Sequence, residues 1–185
     1  MKRLVLWIFL FSLVVLTTGC SLMAALKPAP VEPPPASQPP PTQPTAPQVK
    51  EQVTLYFAGP DADKVMPEVR EVVVEGTLAE TIVNELINGP TVAGLGRTIP
   101  AEARLLELTI EDKVAYVNFS RELQTKHWGG STGDIMTIYS VVTSLTAWED
   151  IESVQFLLEG KKEEAIFGHL ATDRPIKPDP SYAGN

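Results

Sequence analysis

Ten of the chain's seventeen prolines fall between Lys27 and Val49, among them Pro33-Pro34-Pro35 and Pro39-Pro40-Pro41. Proline fixes its own φ, removes a backbone donor and pushes the residue before it toward extended conformations. The stretch therefore reads as a semi-rigid, polyproline-like spacer rather than part of a helix or sheet. At about 3.1 Å per residue its 23 residues reach at most roughly 70 Å. Folding is confined to the residues after Val49. From Lys50 to Asn185 there are about 135 residues, enough for one domain with its own core.

The N-terminus has the layout of an export signal. Lys2 and Arg3 precede an almost unbroken apolar run from Leu4 to Leu16, and Thr17-Thr18-Gly19 then leads to Cys20. This is the order of a secretory signal cut just before a lipid-modified cysteine. About 16 residues separate Arg3 from Cys20, short of the roughly 20 that span a bilayer comfortably. The expected organisation is a signal peptide at 1–19, an acylated Cys20 with a proline-rich linker in 20–50, a folded domain at 51–180 and a short disordered tail at 181–185. Two acyl chains anchor stably where one binds only marginally, so the domain is expected on the extracytoplasmic face of the cell membrane. Cys20 is the only cysteine, so the domain depends on its core and not on disulfides, and thiolate metal sites are excluded. Without Lys2 and Arg3 the formal charge falls from −8 to about −10. Nucleic acid and anionic lipid are therefore poor partners, and proteins, cations or neutral surfaces better ones.

Within the domain two periodicities alternate. Val53, Leu55 and Phe57 alternate with Thr54 and Tyr56 and predict a strand ending at Gly59-Pro60, and the β-branched run Val69–Val74 predicts a second, its edge marked by Pro67 and Gly76. Thr77-Leu78-Ala79-Glu80 has the form of a capping box. Leu78, Ile82, Val83 and Leu86 follow on one face, which predicts a helix over Thr77–Asn88 stopped by Gly89-Pro90. Alternation of Leu106, Leu108 and Ile110 with Glu107 and Thr109, then Val114–Phe119, predicts a hairpin turning at Glu111-Asp112-Lys113. Ser131 or Thr132 can cap a second helix with Ile135, Ile138, Tyr139, Val142 and Leu145 on one stripe. Ile151–Leu158 reads as a last strand, with Glu164–Phe167 as a brief hairpin partner. The fold class is α+β, a small antiparallel or mixed sheet with both helices packed on one face.

Residues for chemistry are sparse. Neither His127 nor His169 has a metal-ligand neighbour at helical or hairpin spacing, and His169 with Asp173 would hold a cation only weakly; no metal and no cofactor is expected. Ser131, His169 and Asp134 can be imagined as a hydrolytic set, but no spacing supports it and no G-x-S-x-G elbow exists. The loop Lys126–Gly133 is glycine-rich and opens a helix, yet lacks the anchors of a phosphate loop. Its Trp128 is either a lid over the core or an exposed interface anchor. The loop Thr91–Arg97, with Leu95 between glycines, is a second possible contact surface. The candidate partner-binding residues are thus Trp128, Leu95 and His127.

Five blocks together are similar to the GerMN domain family: Gly133–Lys161, Gly89-Pro90 after a helix, Ile99-Pro100 before a strand, Val114–Ser120, and Gly168-His169 ahead of Arg174-Pro175. The resemblance covers about Gln52 to Asp179. It implies a fold like the ring-building motif of secretion and sporulation complexes, in a lipoprotein outside a membrane. The expected role is a non-catalytic module that docks on envelope or sporulation-complex proteins, with self-association open. The alternative is a module holding cell-wall glycan or a small ligand, for which exposed aromatics are few.

Overall fold

The computed structural model describes residues 49–148 and 150–184. The signal, Cys20 and the proline-rich spacer as far as residue 48 lie outside the described residues. The elements run β1 (Lys50–Ala58), β2 (Val65–Val73), α1 (Leu78–Asn88), β3 (Leu105–Glu111), β4 (Val114–Phe119), a short α2 (Glu122–Thr125), α3 (Ser131–Thr146), β5 (Ser153–Leu158) and a closing 3-10 turn, Pro180–Tyr182. The architecture is α+β. The strands form two sheets rather than the one expected: an antiparallel β1-β2 pair, and a mixed sheet ordered β3-β4-β5 with β4 and β5 parallel. α1 packs on β1 and β3, and α3 packs on β1, β2, β5 and α1, so the two helices tie the sheets together.

The local chemistry of α1 matches its sequence. Thr77 caps the helix by accepting from the Glu80 N–H at 3.2 Å, while the Glu80 carboxylate takes the Thr77 N–H at 2.8 Å. Gly89 ends it at φ 91°, a backbone conformation that favours glycine. The second helix departs from expectation: Gly130, not Ser131 or Thr132, is its N-cap and makes no side-chain cap bond. It is also buried well beyond one stripe. Met136, Ile138, Val141, Val142 and Leu145 join Phe57, Phe119 and Phe156 in the core, each fully buried apolar side chain stabilising by roughly 1.5–3 kcal/mol. Glu164–Phe167 forms no strand; β5 is bordered instead by Ile176.

Pro67 lies inside β2, opposite Tyr56, and not at the strand's end. A proline there leaves no ladder bond missing only if its nitrogen faces away from β1. The free side of β1 is closed by an unusual neighbour: Ser140 Oγ donates to Tyr56 O at 2.6 Å, and Tyr56 N donates to Ser144 Oγ at 2.8 Å. Two serines one helical turn apart thus take the place of an adjacent strand. Near the C-terminus Tyr182 stacks on Tyr139 at 4.4 Å between ring centroids, Gly184 N donates to Val65 O at 2.8 Å, and Ala183 bridges to Val65 at the start of β2.

Candidate functional site: a groove between two glycine loops

Loop 91–97 is fixed from below by a buried charge. Glu68, on β2 and 2% exposed, accepts from Thr91 N at 2.9 Å, Thr91 Oγ1 at 2.7 Å, Val92 N at 3.1 Å and Arg70 Nε at 3.0 Å. Burial works against its charge, but the bonds from Thr91, Arg70 and Val92 outweigh it and lower its pKa to about 2. Arg70 continues the network to Glu85 at 2.5 Å and to Gly89 O at 3.0 Å. At the far end of the loop Arg97 donates to Ile87 O and, at 2.7 Å, to Asn88 O, capping the carbonyls that end α1. Gly96 pairs with Ala58 in both directions, at 2.7 and 3.1 Å, extending the closed edge of β1. Leu95, half-buried, is therefore held by both ends of its loop.

The second loop is stacked. Trp128, 52% exposed, lies on the His127 ring at 4.8 Å, and His127 lies in turn against Phe167 at 4.3 Å. His127 hydrogen-bonds Thr137 Oγ1 through Nε2 at 2.9 Å and accepts from Gly129 N through Nδ1 at 3.1 Å. Thr137 Oγ1 already donates to Thr98 O at 2.5 Å, so the proton between them sits on Nε2, leaving the Nδ1 lone pair for Gly129. Burial lowers the His127 pKa, against the pull of Asp134. A Cβ on Gly133 would stand 2.9 Å from Trp128 Nε1, so glycine at that position gives the indole its seat.

The two loops meet. Leu95, Gly96, Arg97, Trp128, Gly133 and Met136 line one groove of about 560 Å³ that also takes in the Gly59-Pro60 turn. Two of the three candidate residues, Leu95 and Trp128, thus share one surface though 33 positions apart. The third does not present itself: the His127 side chain is 3% exposed and serves as the platform under Trp128. Exposed Val92 extends the loop's apolar rim.

His169 contacts Asp134 rather than Asp173, with Nδ1 2.5 Å from Oδ2. Asp134 is 1% exposed, and its other oxygen has no hydrogen-bond partner among the described residues and lies 3.6 Å from His127 Nδ1. Two members of the imagined set Ser131, His169 and Asp134 thus meet across 35 residues of sequence. Among the described residues no serine hydroxyl bonds His169, and no group of three His, Cys, Asp or Glu side chains is arranged to hold a metal ion.

A family model described as Germane, sporulation and spore germination, matches residues 54–164, more than half of the chain. The chain belongs to the Germane family. Its solved neighbours have the same fold. The tandem GerMN domains of the sporulation protein GerM from Bacillus subtilis align at TM-score 0.58 and 22% identity, covering 74% of this chain and 48% of that one. This Germane domain thus spans about half the tandem. The first GerMN domain of GerM alone aligns at TM-score 0.50 and 19% identity over 70% of this chain and 96% of that one. A Clostridium perfringens chain assigned as a lipoprotein aligns at 0.52 and 23%, over 72% and 92%. No curated protein matches the chain. Among the described residues no helix is long and apolar enough to cross a membrane.

Proposed function

We propose that this Germane-family chain is a non-catalytic, lipid-anchored module whose domain docks on another protein outside the cell membrane, in a sporulation, germination or envelope complex. The observation that carries the reading is the groove itself: a half-exposed tryptophan and a leucine, on separate loops, each held rigid from beneath. Interface anchors are enriched in tryptophan, and rigid placement reduces the ordering cost of association. Acylation of Cys20 and the proline-rich spacer supply anchor and reach in this reading.

The test is recovery of partners by the tagged full chain from detergent-solubilised membranes. One envelope protein should be recovered by the native chain and by Cys20→Ala, which should lose membrane attachment, and lost with Trp128→Ala and with Leu95→Asp. Recovery of cell-wall glycan without protein would replace this reading with a glycan-binding one.

A further inference from the structure

The edges of the two sheets are treated unequally. β1 is met at Tyr56 by Ser140 and Ser144 and at Ala58 by Gly96, β2 at Val65 by Ala183, and β5 at Val154 by Ile176. β3 is the outer strand of its sheet, and among the described residues no backbone partner meets its outer side. The turn fixes which groups are free. Asp112 and Lys113 have φ of 48° and 64°, a two-residue turn with left-handed values at both positions. Such a turn makes the flanking pair Glu111–Val114 hydrogen-bonded. Alternation then commits Thr109 and Glu107 to β4 and points the N–H and C=O of Leu108 and Ile110 outward. Uncovered strand edges are templates for another chain, and natural proteins usually cover them.

Two further features adjoin this edge. Leu106 and Ile110 are each 46% exposed, and the register shifts between Leu105 and Glu107. Ile110 opens onto a mainly apolar cleft of about 540 Å³ lined also by Leu78, Ile82, Trp148 and Ile151. The indole N–H of Trp148 is buried with no acceptor among the described residues. The opposite face of β3 carries exposed Glu107, Thr109 and Glu111, with Asp112 in the turn, while Lys113 is engaged by Glu152 at 2.7 Å.

We propose that the free edge of β3 and its apolar cleft bind an extended peptide strand of a partner protein in which aliphatic and basic residues alternate. The added backbone would pair with Leu108 and Ile110. Aliphatic side chains on its inner face would enter the cleft, and basic ones on its outer face would stand beside Glu107 and Glu111. The same charges disfavour a second copy: an antiparallel self-pair matching Leu108 to Ile110 sets Glu107 against Glu111 twice. This surface shares no residue with the Leu95–Trp128 groove and stands independently of it.

The test is fluorescence anisotropy of a labelled short peptide of alternating valine and lysine, titrated with the full chain in detergent micelles at about 0.15 M salt. Ile110→Pro removes an outward donor without breaking a bond to β4, and should weaken binding about tenfold or more. Glu107→Lys with Glu111→Lys should shift preference to a valine–glutamate peptide, an outcome that misfolding cannot mimic. Trp128→Ala should leave binding unchanged. Equal binding of a peptide with the same residues in two blocks would overturn the proposal, as would indifference to the charge reversal. Sedimentation showing a dimer of the chain abolished by Ile110→Pro would overturn it in favour of a second copy.

Discussion

Glu68 and Asp134 are both carboxylates withdrawn from water, yet their surroundings are opposite. Glu68 is met by Thr91, Val92 and Arg70, so both its oxygens are occupied. Asp134 has His169 on one oxygen and nothing on the other. A fully bonded buried charge fixes its surroundings, whereas a partly bonded one leaves a polar group whose desolvation is uncompensated. The first sits beneath the Leu95 loop and makes it rigid. The second sits beside the His127 ring on which Trp128 stacks.

The largest effect expected from breaking this contrast is that of Glu68→Ala. It strands the Thr91 and Val92 N–H groups and leaves Arg70, 14% exposed, with Glu85 and the Gly89 carbonyl. The cost should be about 3 kcal/mol, read as a lower denaturation midpoint with an unchanged slope. Acid offers a second route to the same network. The Glu68 pKa is about 2 in the fold against an ordinary 4.5, so its contribution is complete above about 4.5 and is lost as pH falls toward 2. The full shift corresponds to about 3 kcal/mol. Unfolding curves at pH 5 and pH 2.5 should differ more for the native chain than for Glu68→Gln.

Asp134→Asn should behave differently from any Glu68 variant. The amide keeps an oxygen that can still accept from His169 and puts a neutral group beside the His127 ring, whose Nδ1 lone pair stays with Gly129. The unbonded charge disappears, so stability should change by less than about 1 kcal/mol in either direction. A loss as large as that of Glu68→Ala would show that Asp134 is satisfied in a way its present neighbours do not reveal.

The helix ends of α1 were legible because their chemistry is local: Thr77, Glu80, Gly89 and Pro90 act on backbone groups within a turn of themselves. The hairpin was legible for the same reason. Leu95 and Trp128 were legible singly, as large apolar residues among glycines, but not as one groove, because their meeting depends on how α3 docks on β1. Glu68 gave no signal, since it lay just before the expected strand Val69–Val74 and its partners come from the Thr91 loop, 23 residues on. Ser140 and Ser144 were equally silent; a helix that closes a sheet edge with hydroxyls has no periodic mark. The exposure of the Leu106–Ile110 face was not legible, because alternation tells which residues share a side and not whether anything covers that side.

The smallest effect should come from His127, where the contrast can be watched optically. Burial depresses its pKa below the ordinary 6.5, so the unfolded chain binds more protons than the folded one near that pH. Stability associated with the neutral ring is complete above about 6.5 and declines as pH falls toward the folded value. A proton reaching Nδ1 must displace the Gly129 N–H and would face the unbonded Asp134 oxygen 3.6 Å away. Either change alters the ring on which Trp128 stacks. In a background with Trp7 and Trp148 replaced by phenylalanine, Trp128 emission should titrate with a midpoint below 6.5, and His127→Gln should remove the titration. A midpoint above 6.5 would mean that the Asp134 charge outweighs burial, and the half-bonded carboxylate would then have found its partner in the imidazolium.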